Sequence, residues 1–295
     1  MITLSAGEAS VVLAPEAGGA LLGWQVGRQR ILRLPDPAAL LGARAGGLGA
    51  FPLVPFSNRI AHGSFTFAGR TYHLARPDPS FPLPIHGLGW VRRWDPASVS
   101  TGSARLRLHH PARASDLALW PFAFAAELRI DLAADALTVG LRLTNHHDGP
   151  APAGLGLHPF FRRTPDARLR FAATGVWLND TAQLPTILAP IPPEWNHAAG
   201  RRIDGAPLDH VFTGWDGRAE IALAPTPVTL SLDASAIFRH LVVFTPPGAG
   251  FFCVEPVSHM TDAVNRCATR ADTGLAILPP AGTLDGEITL RRHGR

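Results

Sequence analysis

The chain has 295 residues, 46% of them hydrophobic and 17% charged, which supplies a sizeable core and excludes a disordered chain. Its net charge of +4 comes from arginine without any lysine, so the sequence pI near 10.2 records the high guanidinium pKa rather than a strong field. The arginines fall in short pairs, not blocks, and no basic stripe interleaves with aromatics, so nucleic acid is not an expected partner.

The opening residues MITLSAGEASVVLAPEAGG lack the basic start and continuous apolar run of a signal peptide. No window nears the roughly 18 apolar residues of a membrane span. Two cysteines, Cys253 and Cys267, make no disulfide framework. A soluble, cytoplasmic protein without membrane contact is the expectation.

Along the chain, alternation of apolar and polar residues dominates and helical periodicity is scarce. Strands are expected at 9–14 and 20–26, and 36–45 is weakly helical in pattern. SFTFAGRTYHL, 64–74, reads as a hairpin turning at Ala68 and Gly69. A strand at 104–110 precedes a second weakly helical stretch at 113–119. The clearest hairpin is 124–145, where Leu128, Ile130 and Leu132 face one way and Leu137, Val139, Leu141 and Leu143 return. Further strands are expected at 168–172, 219–224, 227–232, 240–244, 251–255, 275–278 and 286–291. The 29 Gly and 28 Pro act as punctuation between them. This density of strands argues for an all-β, large antiparallel sandwich or barrel. No composition shift or repeat marks a boundary, so residues 1–295 are read as a single domain.

Several chemistries are missing from the sequence. It contains no complete G-x-G-x-x-G with its βαβ setting, no lysine for a phosphate loop and no G-x-S-x-G elbow. The 13 histidines are dispersed apart from the pairs at 109–110 and 146–147. Neighbours on a strand point to opposite faces, so neither pair grips a metal, and no metal site is assigned.

Five stretches place polar residues in apolar or glycine-rich context. In GLGLHPFF, 154–161, His158 ends an apolar run, Pro159 stiffens the next step, and Gly154 and Gly156 leave room for close approach. VPFSNRIAHGSF carries Asn58 and Arg59, whose donors suit hydroxyls or a carboxylate. LPIHGLGW places His86 before Trp90, whose ring offers a stacking face for a sugar. PLDHVFTGWDG carries Asp209. In GFFCVEPVSHMTDAVN, Glu255 closes the apolar run Phe251 to Val254 ahead of Pro256. Each has a plainer reading: a satisfied core histidine, a solvated arginine, an Asx turn, a glutamate reaching water at a strand end. His158 and Glu255 share one context, a titratable group at an apolar strand end followed by proline, which makes them the preferred general acid–base pair.

The set NRI at 58–60, IHG at 85–87, GLGLHPFF, LDHVF at 208–212 and FFCVEPVSH at 251–259, in that order, resembles the aldose 1-epimerase (galactose mutarotase) family. NHHDGPAPAGLG before the central histidine resembles it too. The likeness runs from about residue 10 to 290. It implies a large antiparallel β-supersandwich with an open sugar cleft, a small-molecule sugar as partner, and anomer interconversion without a cofactor. By position, Glu255 matches the general base and His158 the general acid. Asn58, Arg59, His86 and Asp209 match or adjoin the positions that hold sugar hydroxyls. With unperturbed values, Glu255 would be ionised and His158 partly protonated near neutrality.

Phe160 departs from the tyrosine familiar at that position, and Leu88-Gly89-Trp90 departs from the usual glycine-rich companion. A hexose 6-phosphate relative is an alternative, with Arg92 and Arg93 offered to the phosphate. A non-catalytic sugar-binding or sensor protein and a metal-dependent, cupin-like enzyme are the others. The oligomeric state, monomer or dimer, is left open.

Overall fold

Alternation becomes a ladder in the long hairpin. Phe124–Leu132 pairs antiparallel with Ala136–Asn145, setting Leu128 opposite Leu141 and Ile130 opposite Val139. On its other edge Ser103–His110 sets Leu106 opposite Leu128. These leucines share one buried face, while Glu127, paired across both ladders with Arg107 and Arg142, belongs to the other. The 64–74 hairpin forms as Ser64–Phe67 and Arg70–His73. Ala68 (φ 50°) and Gly69 (φ 75°) both take the left-handed conformation that two-residue hairpin turns need.

The computed structural model describes residues 1–33, 48–205, 207–223 and 228–294. Among these, two large antiparallel sheets carry the fold. The 9-stranded sheet runs Arg201–Arg202, Arg168–Phe171, Arg218–Leu223, Val228–Ala234, Thr283–His293, Ala136–Asn145, Phe124–Leu132, Ser103–His110, Asp95–Val99. The 11-stranded sheet runs Ile2–Ala6, Ala9–Ala14, Ala20–Val26, Ala50–Leu53, Gly156–Arg162, Phe251–Val257, His240–Phe244, Asp209–Thr213, Gly175–Asn179, Pro185–Ala189, with Gln29–Arg30 against Ala20–Val26. The all-β supersandwich expected from the sequence is the fold observed.

The two sheets enclose the main core, in which Trp24, Leu106, Leu128, Phe161, Phe212, Phe252 and Leu290 pack together. A second apolar cluster lies on the far face of the larger sheet, where Phe51, Phe160, Trp177, Val242 and Cys253 meet Trp90 and Met260 from covering loops. The central strands of that sheet are therefore buried on both sides, and Gly156–Arg162 is buried at every position but the last.

The 113–119 stretch forms turns rather than a helix: the Arg113 carbonyl accepts from the Asp116 and Leu117 N–H groups (2.7 and 3.2 Å) and the Asp116 carbonyl from those of Leu119 and Trp120 (2.8 and 3.1 Å). Enclosed between Pro111 and Pro121, it is too short to repay helix nucleation. The 36–45 stretch lies outside the described residues. The one α-helical turn among the described residues, Ala263–Arg266, was not expected. Strands at Ile2–Ala6, Ala50–Leu53, Asp95–Val99, Gly175–Asn179, Pro185–Ala189 and Asp209–Thr213 also exceed the sequence reading. They are short, and Pro52, Pro96 and Pro185 interrupt their patterns. No helix among the described residues is long and apolar enough to cross a membrane.

Candidate active site

Register collects the polar positions on one face. His158 pairs with Phe51, Phe160 with Cys253, Glu255 with Val242, and Phe244 with Asp209. Directly opposed residues share a face, as do residues two apart on one strand. Phe51, His158, Phe160, Cys253, Glu255, Val242, Phe244 and Asp209 therefore all project from the far face of the large sheet, away from the inter-sheet core. The register that sets Gly156 against Val257 and Phe160 against Cys253 brings His158 level with Glu255 on the next strand. Pro159 and Pro256 carry no N–H to close the ladder there.

The far face holds a cleft of about 200 Å³. Asn58, Arg59, His86, His158, Asp209 and Glu255, the six site residues expected from sequence, all line it. His158 Nε2 lies 3.3 Å from Glu255 Oε1 on the buried floor. The His158 ring stacks on Phe160 (centroids 4.5 Å apart, planes 18° apart) and sits 4.6 Å from the Phe51 ring, fixing its plane. The His86 ring stands 5.1 Å away and nearly perpendicular.

Loops deliver the remaining groups. The Asn58 N–H donates to His86 Nδ1 (3.2 Å), so the neutral imidazole carries its proton on Nε2. Asn58 and His86 both adopt positive φ, 59° and 62°, and exchange a second bond from the His86 N–H to the Asn58 carbonyl (3.0 Å). Gly87 (φ 66°) allows the close approach, since a Cβ there would fall 2.4 Å from the Val54 carbonyl oxygen. Asn58 Oδ1 accepts from both the backbone N–H (2.9 Å) and the guanidinium (3.1 Å) of Arg59. The same guanidinium reaches Asp209 Oδ2 at 3.5 Å. Asn179 Nδ2 donates to the Asp209 carbonyl (2.6 Å) and anchors the start of that strand.

Burial reverses the charge states expected from unperturbed values. Desolvation lowers His158 to about 3, with Arg33 and Arg59 adding to the depression. Desolvation and the nearby Asp209 push Glu255 well above the usual carboxylate range, against the opposing pull of Arg59. His86 is lowered by burial and then by His158 and Arg59. Burial thus drives both members of the pair toward their uncharged forms, His158 toward the neutral imidazole and Glu255 toward the carboxylic acid.

Two other expectations are corrected. Trp90 is no stacking face: it is fully buried, its indole N–H donates to the Ile85 carbonyl (3.2 Å), and it does not line the cleft. The aromatic walls are Phe51, Phe81, Phe160, Phe244 and Phe251, of which the sequence reading singled out only Phe160. Arg92 is paired with Asp116 (2.8 Å) and Arg93 with Glu16 and Asp95 (both 3.0 Å). Neither lines the cleft, so that pair builds no phosphate grip there. Arg33 was also missed; its guanidinium lies over Phe160 (4.2 Å) and Phe251 (4.4 Å) and donates to the Leu48 carbonyl.

Donor atoms of His158, Cys253 and Glu255 lie within 4.8 Å of one another, a grouping the dispersed histidines did not suggest. Burial, reinforced by Glu255, raises the Cys253 thiol, which opposes the thiolate that metal binding requires.

The family model for aldose 1-epimerase matches residues 1–291, and the chain belongs to that family. It is 29% identical over 262 residues to YphB, an uncharacterized protein of Escherichia coli K12, covering 82% of each chain. The solved structure of a candidate aldose 1-epimerase from Escherichia coli K12 is similar at 26% identity and a TM-score of 0.89, over 99% of this chain and 98% of that one. Galactose 1-epimerase from Lactobacillus acidophilus NCFM shares the fold at 18% identity and a TM-score of 0.78, over 99% of this chain and 93% of that one.

Proposed function

We propose that the cleft interconverts the α and β anomers of an aldose, with Glu255 as general base and His158 as general acid. The observation that carries this reading is the 3.3 Å contact between His158 Nε2 and Glu255 Oε1 on the floor of a cleft lined by Asn58, Arg59, His86 and Asp209. The cleft volume of about 200 Å³ is below the roughly 300–1,000 Å³ of sites for drug-sized ligands and suits a single sugar ring. Phenylalanine walls suit its C–H faces, while Arg59, His86 and Asp209 suit its hydroxyls.

The step needs one proton removed and one supplied. Glu255 takes the proton of the anomeric hydroxyl as the bond from the anomeric carbon to the ring oxygen breaks. His158 protonates the departing ring oxygen, leaving an open-chain aldehyde. Rotation about the bond beside the carbonyl carbon, followed by the reverse transfers, closes the other anomer. The cycle starts from the carboxyl proton of Glu255 and returns it there. Passage of that proton from Glu255 to His158 across their contact creates carboxylate base and imidazolium acid together, each stabilising the other's charge. His86 stays neutral and offers its Nε2–H as a hydrogen-bond donor.

Each positioned group contributes roughly 100- to 10,000-fold. Polarimetry on freshly dissolved anomers of galactose, glucose and other aldoses tests the proposal. Rates equal to the buffer blank across the panel overturn it, and tight binding without anomer exchange assigns a sugar-binding protein instead.

A further inference from the structure

Asn58 and Arg59 sit outside the sheets, tied to the His86 loop by one antiparallel bridge between Arg59 and Ile85. Yet every backbone N–H from Ser57 to Ala61 is satisfied, three of them by side chains distant in sequence. The Ser57 N–H donates to His259 Nε2 (3.1 Å), the Asn58 N–H to His86 Nδ1 (3.2 Å) and the Ala61 N–H to Asp262 Oδ1 (3.0 Å). The Arg59 N–H goes to Asn58 Oδ1 (2.9 Å) and the Ile60 N–H to the Pro84 carbonyl (3.1 Å). In return, the Asp262 N–H donates to the Arg59 carbonyl (3.0 Å).

His259 is built for this contact. Its Nδ1–H donates to the Met260 carbonyl at 2.7 Å, so Nε2 is left as the acceptor. The ring is 2% exposed, and burial lowers its pKa to about 4, keeping that acceptor free of a proton near neutrality. Its place is cut from the short link that leads into the strand Gly156–Arg162: a Cβ on Gly154 would fall 2.0 Å from His259 Cδ2 and 2.3 Å from Nε2. Asp262, 4% exposed, also accepts from Asn265 Nδ2 (2.8 Å) and meets Arg266 at 3.4 Å. Asn58 and Asp262 both hold left-handed backbone (φ 59° and 58°) that surrounding bonds must enforce.

We infer that His259 and Asp262, neither of which lines the cleft, are positioning residues that set the angle at which the Asn58–Arg59 turn presents its side chains to the sugar. The inference rests on the proposed reading of the cleft. Arg59 spans from Asn58 to Asp209, so a rotation of the turn moves the guanidinium away from both. Losing one acceptor leaves a buried donor unsatisfied, and the turn relieves this by rotating.

Two readouts test it. Amide exchange, read on the sugar-free protein, reports the clamp whether or not the wild type epimerises anything. His259→Leu speeds exchange at Ser57, and Asp262→Ala at Ala61, each by about tenfold or more. Steady-state mutarotation, or sugar Kd by calorimetry, reports the consequence. His259→Leu raises KM about tenfold with kcat within about threefold, whereas a merely structural residue lowers the folded fraction and leaves KM alone. His259→Gln, whose amide oxygen replaces Nε2 as acceptor, recovers most of the affinity. If His259→Leu fails to fold, Asp262→Ala against Asp262→Asn makes the same comparison. Unchanged amide protection overturns the clamp, and lost protection with unchanged KM and Kd overturns its positioning role. A wild type inactive on every aldose overturns the reading of the cleft while the exchange data still judge the clamp.

Discussion

The two large sheets use the same antiparallel pairing to opposite ends. In the 9-stranded sheet, Phe124–Leu132 and Ser103–His110 bury every second residue and return the alternate ones to solvent. In the 11-stranded sheet, Gly156–Arg162 and Phe251–Val257 are buried at nearly every position, because the main core covers one face and a second apolar cluster the other. A polar side chain on the outward face of the first sheet costs little, since that face meets water. On the second it is expensive, and a buried ionisable pair without a compensating role would be replaced by apolar residues at little loss. The presence of His158 and Glu255 on such strands is itself an argument for chemistry. The first sheet supports; the second carries the site.

The largest effect that sharpens this contrast is on activity. Glu255→Gln keeps the shape and a donor toward His158 but cannot accept a proton as a base. Mutarotation followed by polarimetry is expected to fall about 100- to 10,000-fold, with the far-ultraviolet circular dichroism unchanged. A near-normal rate places the base elsewhere. The mirror experiment is Leu128→Ala between the sheets, where the side chain is 1% exposed. It is expected to cost about 2–5 kcal/mol in denaturant unfolding, with turnover per folded molecule unchanged.

The contrast also governs what the sequence discloses. Strands with one wet face announce themselves by period, so the 124–145 hairpin and the 104–110 strand are legible residue by residue. Strands buried on both faces lose the period, and Pro52, Pro159 and Pro256 further disguise three adjacent central ones. The site was legible where polarity broke an apolar run, as at His158 and Glu255. Its aromatic walls were not, because a phenylalanine in an apolar run gives no sign of which face it takes. Trp90 shows the converse, a conspicuous ring that packs beneath the site instead of lining it. Charge states were hidden too, since desolvation depends on tertiary burial. So were the jobs of His259 and Asp262, which depend on backbone donors about 200 residues away.

Stability against pH breaks or confirms the burial argument at an intermediate scale. His158 is lowered to about 3, and His240 and His259 to about 4, from the ordinary 6.5. As pH falls below 6.5 the unfolded chain takes up protons there that the folded chain refuses until about 3 to 4. Stability therefore declines as pH drops through that window. Glu255 acts with the opposite sign. Its folded carboxyl holds a proton above the range where the unfolded carboxylate ionises, so it subtracts stability as pH rises past about 4.5. Thermal melts from pH 4 to 9 should show Glu255→Gln at least as stable as the wild type at pH 8, with the gap closing toward pH 4.5. A variant that melts lower at pH 8 would mean that Glu255 is ionised and well solvated in the folded protein.

The smallest effect belongs to the wet face of the first sheet. Arg170 stands directly opposite Glu220 in the ladder, at 3.4 Å, with side chains 59% and 57% exposed, and also donates to the Ala198 carbonyl. Ordering two long side chains in water offsets most of their screened attraction. Arg170→Ala should therefore change unfolding free energy by no more than about 0.5 kcal/mol and leave mutarotation untouched. The result carries weight because the contrast between the sheets assumes that this face meets solvent. A loss well above 1 kcal/mol that grows with protein concentration would show a second copy of the chain covering it, and this sheet too would then be buried on both sides.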